Sequence, residues 1–235
     1  MNLDGLRVAV TGAGRDTGRL LAEAFAEHGA QLFLSARSLA AAEHVASVVS
    51  QRGPGRAEAF RCDLGEADSV RAFAATLADR TEHLDVLIND GAAYIEGDDL
   101  GDASDERIES VMAAGGTGTV LLTKHLLPLL RASPRPDIIN IISACGEIGH
   151  GRSGAHPAFC AAKHAHAGLA EILSRRLRPE GIRVVSLFPP DFVQDGSRQA
   201  NGDLTARPVV DCVLFAVGQP RDCFIREFHF EQVRH

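Results

Sequence analysis

The chain has no tryptophan, and its 235 residues include only one tyrosine, two methionines and five cysteines. The cysteines are odd in number and scattered, with no CxxC pair, which disfavours both a disulfide framework and a zinc site. We therefore expect free thiols in a reducing compartment and no metal. The cysteines are Cys62, Cys145, Cys160, Cys212 and Cys223.

The chain also lacks an excess of positive charge and a long apolar run. Its 24 basic and 31 acidic residues give a net charge of −7, which offers no footprint for nucleic acid or anionic lipid. The first apolar stretch follows an acid and is broken by glycines before it reaches membrane-spanning length. We expect no nucleic-acid or membrane partner, no export signal and a cytoplasmic location.

What is present is an alternation of short β-branched or apolar runs with longer Ala/Leu/Arg/Glu stretches of helical spacing. This alternation is typical of βαβ units around a parallel sheet, and 235 residues suit one domain, here 1–235. The prediction is an α/β, Rossmann-type, doubly wound fold with a seven-stranded, mostly parallel sheet. The predicted strands are 7–11, 31–35, 57–61, 85–88, 137–142, 183–187 and 223–228. The predicted helices are 16–28, 38–52, 67–80, 104–131, 156–178 and 208–218.

A glycine turn, TGAGRDTG at 11–18, follows the first predicted strand and opens the first predicted helix. Because its glycines have no side chains, the backbone N–H groups of this turn can approach a pyrophosphate at the positive end of the helix. A lone glycine turn is weak support. This one lies in the strand–turn–helix context that dinucleotide binding requires.

At this turn the chain resembles the short-chain dehydrogenase/reductase family, whose turn reads TGxxxGxG. The likeness continues in order through LSARS, CDL, LINDGA, NIIS, FCAAK and RVVSLFPP, against the family's LINNAG, NISS, YxxxK and RVNxxxPG at the last four. The resemblance implies that the glycines admit the pyrophosphate and that Asp63 bonds the adenine amine. It also implies that Asn89 lines the nicotinamide-ribose side and that Lys163 binds the ribose hydroxyls. The cofactor-binding positions expected from it are Gly12, Gly14, Arg15, Asp16, Thr17, Gly18, Arg37, Asp63, Leu64, Asn89, Gly91, Lys163 and Pro189.

Arg15 and Arg37 stand where NADP-using members of the family have cations for the 2′-phosphate, whereas NAD users have an acid after the second strand. NADP is the expected cofactor. Asp16 replaces the middle glycine of the turn, which puts a carboxylate where a phosphate should lie. It either weakens cofactor binding by roughly tenfold to a thousandfold, or turns outward as a helix N-cap and leaves binding intact.

The catalytic positions depart from the family pattern as well. The family's tyrosine, four residues before the lysine, donates or accepts the proton, and here that position is Phe159. The family's asparagine falls on Gly115, while Ser143 and Lys163 are retained. Loss of the hydroxyl removes a general acid, which lowers the reaction rate by about 10²–10⁴-fold or more.

Few residues could replace the missing acid. Tyr94, the only tyrosine, follows the NDGA segment, and His150 and His156 flank a lengthened segment before Phe159. Each has a plainer reading, the tyrosine as a packing residue and the histidines as loop residues. His164 and His166 are expected on a helix surface or subunit contact, and the acidic stretch 96–106 as a solvated loop.

Three functions remain open. The first is an NADP-dependent oxidoreductase acting on a carbonyl or secondary alcohol, with impaired or atypical activity. The second is a catalytically inactive cofactor-binding or scaffolding subunit that partners an active enzyme. The third is another reaction in the same pocket, such as dehydration or elimination. We expect a homodimer, a homotetramer or a hetero-oligomer with an active relative, formed through the helices near 104–131 and 156–178. The small-molecule substrate is not readable from the sequence.

Overall fold

The computed structural model describes residues 3–91, 93–97, 99–149, 154–192 and 204–232. Within them, the strands form one seven-stranded sheet of order β3-β2-β1-β4-β5-β6-β7, in which every pair is parallel. The predicted fold class is therefore confirmed. The strands are β1 (Arg7–Thr11), β2 (Gln31–Ala36), β3 (Arg56–Arg61), β4 (Val86–Asn89), β5 (Asp137–Ile141), β6 (Arg183–Phe188) and β7 (Glu227–His229).

The six predicted helices are present with ends that shift by two residues or fewer. The one predicted over 104–131 is divided by a single π-helical turn, Ala113–Gly118, whose sequence AAGGTG is rich in glycine. Short 3₁₀ helices occupy Leu100–Asp102, Ala144–Gly146 and Arg178–Glu180. The α-helices are α1 (Asp16–Glu27), α2 (Leu39–Arg52), α3 (Ala67–Arg80), α4 (Asp105–Met112), α5 (Thr119–Arg131), α6 (Pro157–Arg176) and α7 (Ala206–Gly218).

The sheet is covered by helices on both faces, which explains why its central strands read as continuous apolar runs. On one face Phe25 of α1 and Val213 of α7 belong to the core cluster. On the other face Phe73 of α3 and Leu122 of α5 belong to a second cluster. Strand order reverses between β1 and β4, and doubly wound sheets form their ligand cleft at such a reversal.

The last strand was predicted at 223–228 and occupies Glu227–His229, so that prediction was wrong in its bounds. The preceding residues are held by side-chain and turn contacts rather than by the ladder. The Cys223 carbonyl accepts a hydrogen bond from Arg183 at 3.0 Å, and Arg178 lies over the Phe224 ring at 4.8 Å. Pairing with β6 starts only where Ser186 meets Glu227.

None of the helices within the described residues is both long enough and apolar enough to cross a membrane.

Candidate active site

A cleft of about 750 Å³ lies at the carboxyl ends of the strands. It is lined by the turn after β1, by Asp90 and Gly91 after β4, by Ser143 after β5 and by Pro189 after β6. These four segments therefore meet at one cleft. Of the expected cofactor-binding positions, Gly18 and Asn89 are absent from the lining, and Ala92, the last residue of the NDGA segment, lies outside the described residues.

Crowding explains the first two glycines of the turn. A Cβ on Gly12, which has φ +67°, would lie 3.0 Å from the Gly91 Cα, and one on Gly14 would lie 2.9 Å from the Ala41 Cβ. These contacts are too close for a side chain, so the backbone itself forms the wall of the cleft. Thr17 lines the cleft next to them, at the start of α1.

Asp16 occupies a backbone conformation that favours glycine, with φ +50°. Helix α1 begins at Asp16 with Arg15 as its cap residue, so the alternative in which Asp16 is the N-cap was wrong. Its carboxylate lies 3.3 Å from Arg15 Nε in an exposed ion pair. The pair offsets part of the negative charge that Asp16 brings to the glycine turn.

The part of the cleft beside β2 and β3 brings together other expected residues. Arg37 follows β2 and is exposed, while Asp63 and Leu64 follow β3 and line the cleft. One Asp63 carboxylate oxygen accepts the Gly65 N–H at 2.9 Å, which fixes this turn. Arg15, in its ion pair with Asp16, and Arg37 line this part of the cleft as well.

Ser143 has a strained backbone, with φ +111°. Its Oγ accepts the Cys145 N–H at 3.2 Å, and the next residue, Ala144, donates its N–H to the Pro189 carbonyl at 2.8 Å. Strain of this kind concentrates at functional sites, where the surrounding structure maintains it. The predicted catalytic serine therefore lies in the cleft on a backbone held in place by its neighbours.

Phe159 and Lys163 enter the cleft from successive turns of α6. The Lys163 Nζ donates to the Ile141 carbonyl at 3.0 Å and lies 5.5 Å from the centroid of the Phe159 ring. Burial lowers the pKa of Lys163 to about 8, with Asp90 acting in the opposite direction. The ammonium thus faces an aromatic ring where the family has a phenol.

Tyr94 lines the cleft, is half exposed, and packs edge-on against Phe159. Desolvation, followed by Asp191 and Glu96, raises its pKa above the usual value. The hydroxyl therefore stays protonated, able to donate a hydrogen bond and reluctant to ionise.

Gly115 lies in the π-helical turn and is not among the cleft-lining residues, although its neighbour Ala114 is. A Cβ on Gly115 would lie 2.9 Å from the Ala162 Cβ of α6. The absence of a side chain at 115 therefore matches a close contact between two helices.

Asn89, which was expected to line the nicotinamide-ribose side, is buried and is not among the cleft-lining residues. Its Nδ2 donates to Asn140 Oδ1 at 3.0 Å, and to Thr123 Oγ1 at 3.4 Å. The same Asn140 oxygen accepts a bond at 3.0 Å from Nε2 of His166, which is buried and not on a helix surface. Burial lowers the pKa of His166 to about 3, so it is neutral in this network.

His156 was considered as a substitute acid, but in the structure it caps α6. It is fully buried, its Nδ1 accepts the Ala158 N–H at 3.1 Å as the cap of α6, and its Nε2 donates to the Leu100 carbonyl at 3.2 Å. Both ring nitrogens are therefore used away from the cleft. His150 lies outside the described residues.

Sequence reasoning missed Asp90 as a site residue. Its carboxylate lines the cleft, and burial raises its pKa to about 7 despite the opposing effect of Lys163. The signal was the replacement of the second asparagine of NNAG by an acid, which was interpreted only as a departure from the motif. A carboxyl and an ammonium of displaced pKa thus share the floor of the cleft.

The described residues contain no group of three or more His, Cys, Asp or Glu side chains that could hold a metal ion.

Comparison with known proteins agrees with this geometry. The family model for short chain dehydrogenases matches residues 7–203. Among curated proteins, the 2,5-dichloro-2,5-cyclohexadiene-1,4-diol dehydrogenase of Sphingobium indicum is 32% identical over 189 residues, covering 80% of this chain and 73% of its own. A solved metagenomic short-chain oxidoreductase in complex with NADP is 27% identical, with a TM-score of 0.84 and 97% of each chain covered. The RhlG–NADP active-site complex of Pseudomonas aeruginosa is 25% identical, with a TM-score of 0.84 over 98% of this chain and 96% of its own.

Proposed function

Because the chain belongs to the short-chain dehydrogenase family, we propose that it is an NADP(H)-binding oxidoreductase with impaired carbonyl or secondary-alcohol chemistry. The observation that carries the proposal is Phe159. Its ring lies in the cleft, on the helix face that also presents Lys163, and it has no hydroxyl to transfer a proton.

The turn before α1 suits the phosphates of a dinucleotide. Gly12 and Gly14 have no side chains, pack closely on Gly91 and Ala41, and lie directly before the start of the helix. Arg15 and Arg37 supply charge for a 2′-phosphate, and Lys163 would hold ribose hydroxyls, in line with the NADP complexes among the structural neighbours. Asp16 opposes the pyrophosphate, which predicts reduced affinity rather than loss of the site.

When bound, the nicotinamide would supply a hydride to a carbonyl carbon or accept one from a secondary alcohol. Ser143 would donate a hydrogen bond from Oγ to the substrate oxygen, since that Oγ accepts but does not donate in its bond with Cys145. No acid stands at position 159, so the rate falls by about 10²–10⁴-fold from the family's usual mechanism. Tyr94 is the substitute that the geometry favours, because its ring adjoins that of Phe159.

The second candidate is a subunit that binds cofactor without chemistry and pairs with an active relative. The Phe159 ring, which has no hydroxyl, favours it, and apolar side chains on the two helices expected to mediate assembly offer a surface for a partner subunit. Val120 of α5 is 43% exposed and Ile172 of α6 is 41% exposed. Such side chains suit burial against another subunit. Both candidates include three further proposals: a single domain over 1–235, a cytoplasmic location, and assembly into an oligomer through these helices.

The first experiment titrates purified protein with NADPH and NADH and then assays ketones and cyclic diols, since a relative carries a cyclic diol in its name. We expect NADPH binding with slow turnover. No binding of either cofactor at millimolar concentration would contradict both candidates. Binding without turnover selects the second candidate.

The second experiment compares Tyr94→Phe with Ser143→Ala in the same assay. Equal loss of turnover in both variants identifies Tyr94 as the donor. A Tyr94→Phe protein with unchanged turnover shows that Tyr94 only packs on Phe159.

A further inference from the structure

The Asp90 carboxylate lies at the first turn of α1, the same helix end that the dinucleotide phosphates approach. Its Oδ2 is 2.9 Å from the point where a Cβ on Gly18 would stand, and it accepts a hydrogen bond from the Gly18 backbone N–H. Gly18 is the third residue of the helix, so this N–H is one of the donors that the helix itself cannot satisfy. The protein's own carboxylate therefore already uses part of the anion-attracting end of α1.

The backbone holds Asp90 firmly in this place. The N–H groups of Asp90 and Gly91 both donate to the Thr11 Oγ1 at 3.1 Å, and that hydroxyl donates to the Ile88 carbonyl at 3.2 Å. The segment after β4 is thus fastened to the end of β1. These bonds hold the backbone of Asp90, and rotation of its carboxylate away from an incoming phosphate would break its bond with the Gly18 N–H.

Two charged groups act on Asp90. Lys163 of α6 attracts its charge, and Asp16 of α1 repels it. Burial raises the pKa of Asp90 to about 7 against the attraction of Lys163, so the group changes charge in the physiological range. A phosphate bound at the same helix end would add negative charge there and favour the protonated form of Asp90 further.

We propose that Asp90 couples cofactor binding to proton uptake: a dinucleotide pyrophosphate at the start of α1 binds well only when the Asp90 carboxyl carries a proton. This inference rests on the proposed cofactor site. It adds a residue of this chain that sets the pH range in which that site can bind.

The sign of the effect follows from linkage between the two binding events. Bound phosphate raises the Asp90 pKa above that of the free protein. Below about pH 7 the carboxyl is already protonated and the Kd changes little. Above that value the Kd rises with pH, by up to about tenfold per pH unit, until the pKa of the complex is passed.

The experiment is isothermal titration of the wild type and of Asp90→Asn with NADPH and NADH at pH 6.5, 7.5 and 8.5. At the highest pH it is repeated in two buffers of different ionisation enthalpy, which counts the protons exchanged. NADH is included because it has no 2′-phosphate that titrates. The Asp90→Asn variant keeps a side-chain oxygen to accept the Gly18 N–H and restores the family's NN pair. Asp211→Asn, which alters an exposed carboxylate of α7 that is not among the cleft-lining residues, is the matched control.

We expect the wild type to take up about half a proton or more per cofactor at the highest pH, with a Kd about tenfold weaker than at the lowest. The Asp90→Asn protein should lose most of this uptake, because of the described cleft residues only Lys163 then titrates near this pH, and Asp211→Asn should follow the wild type. Uptake in Asp90→Asn equal to that of the wild type would overturn the inference. Wild-type binding without proton uptake would overturn the inference and leave the proposed function standing. Absence of cofactor binding by wild type and Asp90→Asn at every pH would overturn both.

Discussion

The Tyr94 and Phe159 rings meet edge to face, with centroids 5.1 Å apart and planes inclined by 75°. The only tyrosine of the chain therefore packs directly on the residue that occupies the family's tyrosine position. The site has kept a phenol in the cleft, although it comes from the loop after β4 instead of from α6.

Phe159→Tyr should increase carbonyl reduction with NADPH by less than about tenfold, although the acid it restores is worth about 10²–10⁴-fold. The new hydroxyl would lie one helical turn from Lys163, as in the family. Asp16 still opposes the pyrophosphate, and catalytic groups that act as a unit are not additive. The measurement is kcat on a ketone panel, with Phe159→Leu as control. A fully active Phe159→Tyr enzyme would show that the rest of the site is intact.

Gly115→Asn should destabilise the fold by about 1–3 kcal/mol, because its Cβ would stand 2.9 Å from the Ala162 Cβ. Thermal and denaturant unfolding measure this cost. Adding Ala162→Gly should restore only part of the lost free energy of unfolding, since glycine inside a helix itself costs about 1 kcal/mol. A Gly115→Asn protein as stable as the wild type would mean that α6 can shift away from position 115 at little cost in stability. The asparagine position could then be restored together with Phe159→Tyr.

NADPH should bind at least about tenfold more tightly than NADH, because charge-assisted contacts contribute about 1.5–3 kcal/mol each. Arg37→Ala should remove most of this preference while leaving the NADH affinity nearly unchanged. Arg71→Ala, which removes an exposed arginine of α3 that pairs with Asp68, is the control. Equal dissociation constants for the two cofactors in the wild type would contradict the assignment of Arg15 and Arg37 to a 2′-phosphate.

Asp16→Gly should tighten NADPH and NADH alike, by about tenfold or more, since it removes a like charge beside the shared pyrophosphate. Its effect on the free energy of unfolding should be below about 1 kcal/mol. Relief of the positive φ favours glycine by roughly 1 kcal/mol, and the greater backbone entropy of unfolded glycine opposes it by a similar amount. An unchanged affinity would show that the Arg15 ion pair already cancels the Asp16 charge.

Asp137→Ala should lower the free energy of unfolding by about 3–5 kcal/mol, because it leaves a buried guanidinium unpaired. Asp137 is 1% exposed and accepts from Arg183 at 2.6 Å and 2.8 Å, and from Arg221 at 2.7 Å. Asp211→Ala, which breaks the exposed pair with Arg207, is the control and should cost less than about 1 kcal/mol. Similar losses for both variants would contradict the importance assigned to the buried cluster.

Several site residues could not be assigned from the sequence alone, since their roles depend on neighbours distant in the chain. Asn89 matches the family motif, yet its partners are Thr123 and Asn140 in the core. His156 looked free to enter the cleft, and it caps α6 instead. A motif gives the position of a residue along the strand, whereas the direction of its side chain depends on what packs against that strand.

The sequence by itself determined the sheet, the order of its helices and the cleft at the strand ends. Apolar periodicity and a glycine turn are local properties, and a parallel sheet leaves few ways to connect them. Only the tertiary structure decided the chemistry of the cleft. It placed the Asp90 carboxylate against the N-terminus of α1, and it buried Lys163 and Asp90 deeply enough to move their pKa values toward neutrality. Burial and charge are set by residues from α1, β4 and α6 together, and no stretch of sequence contains all three.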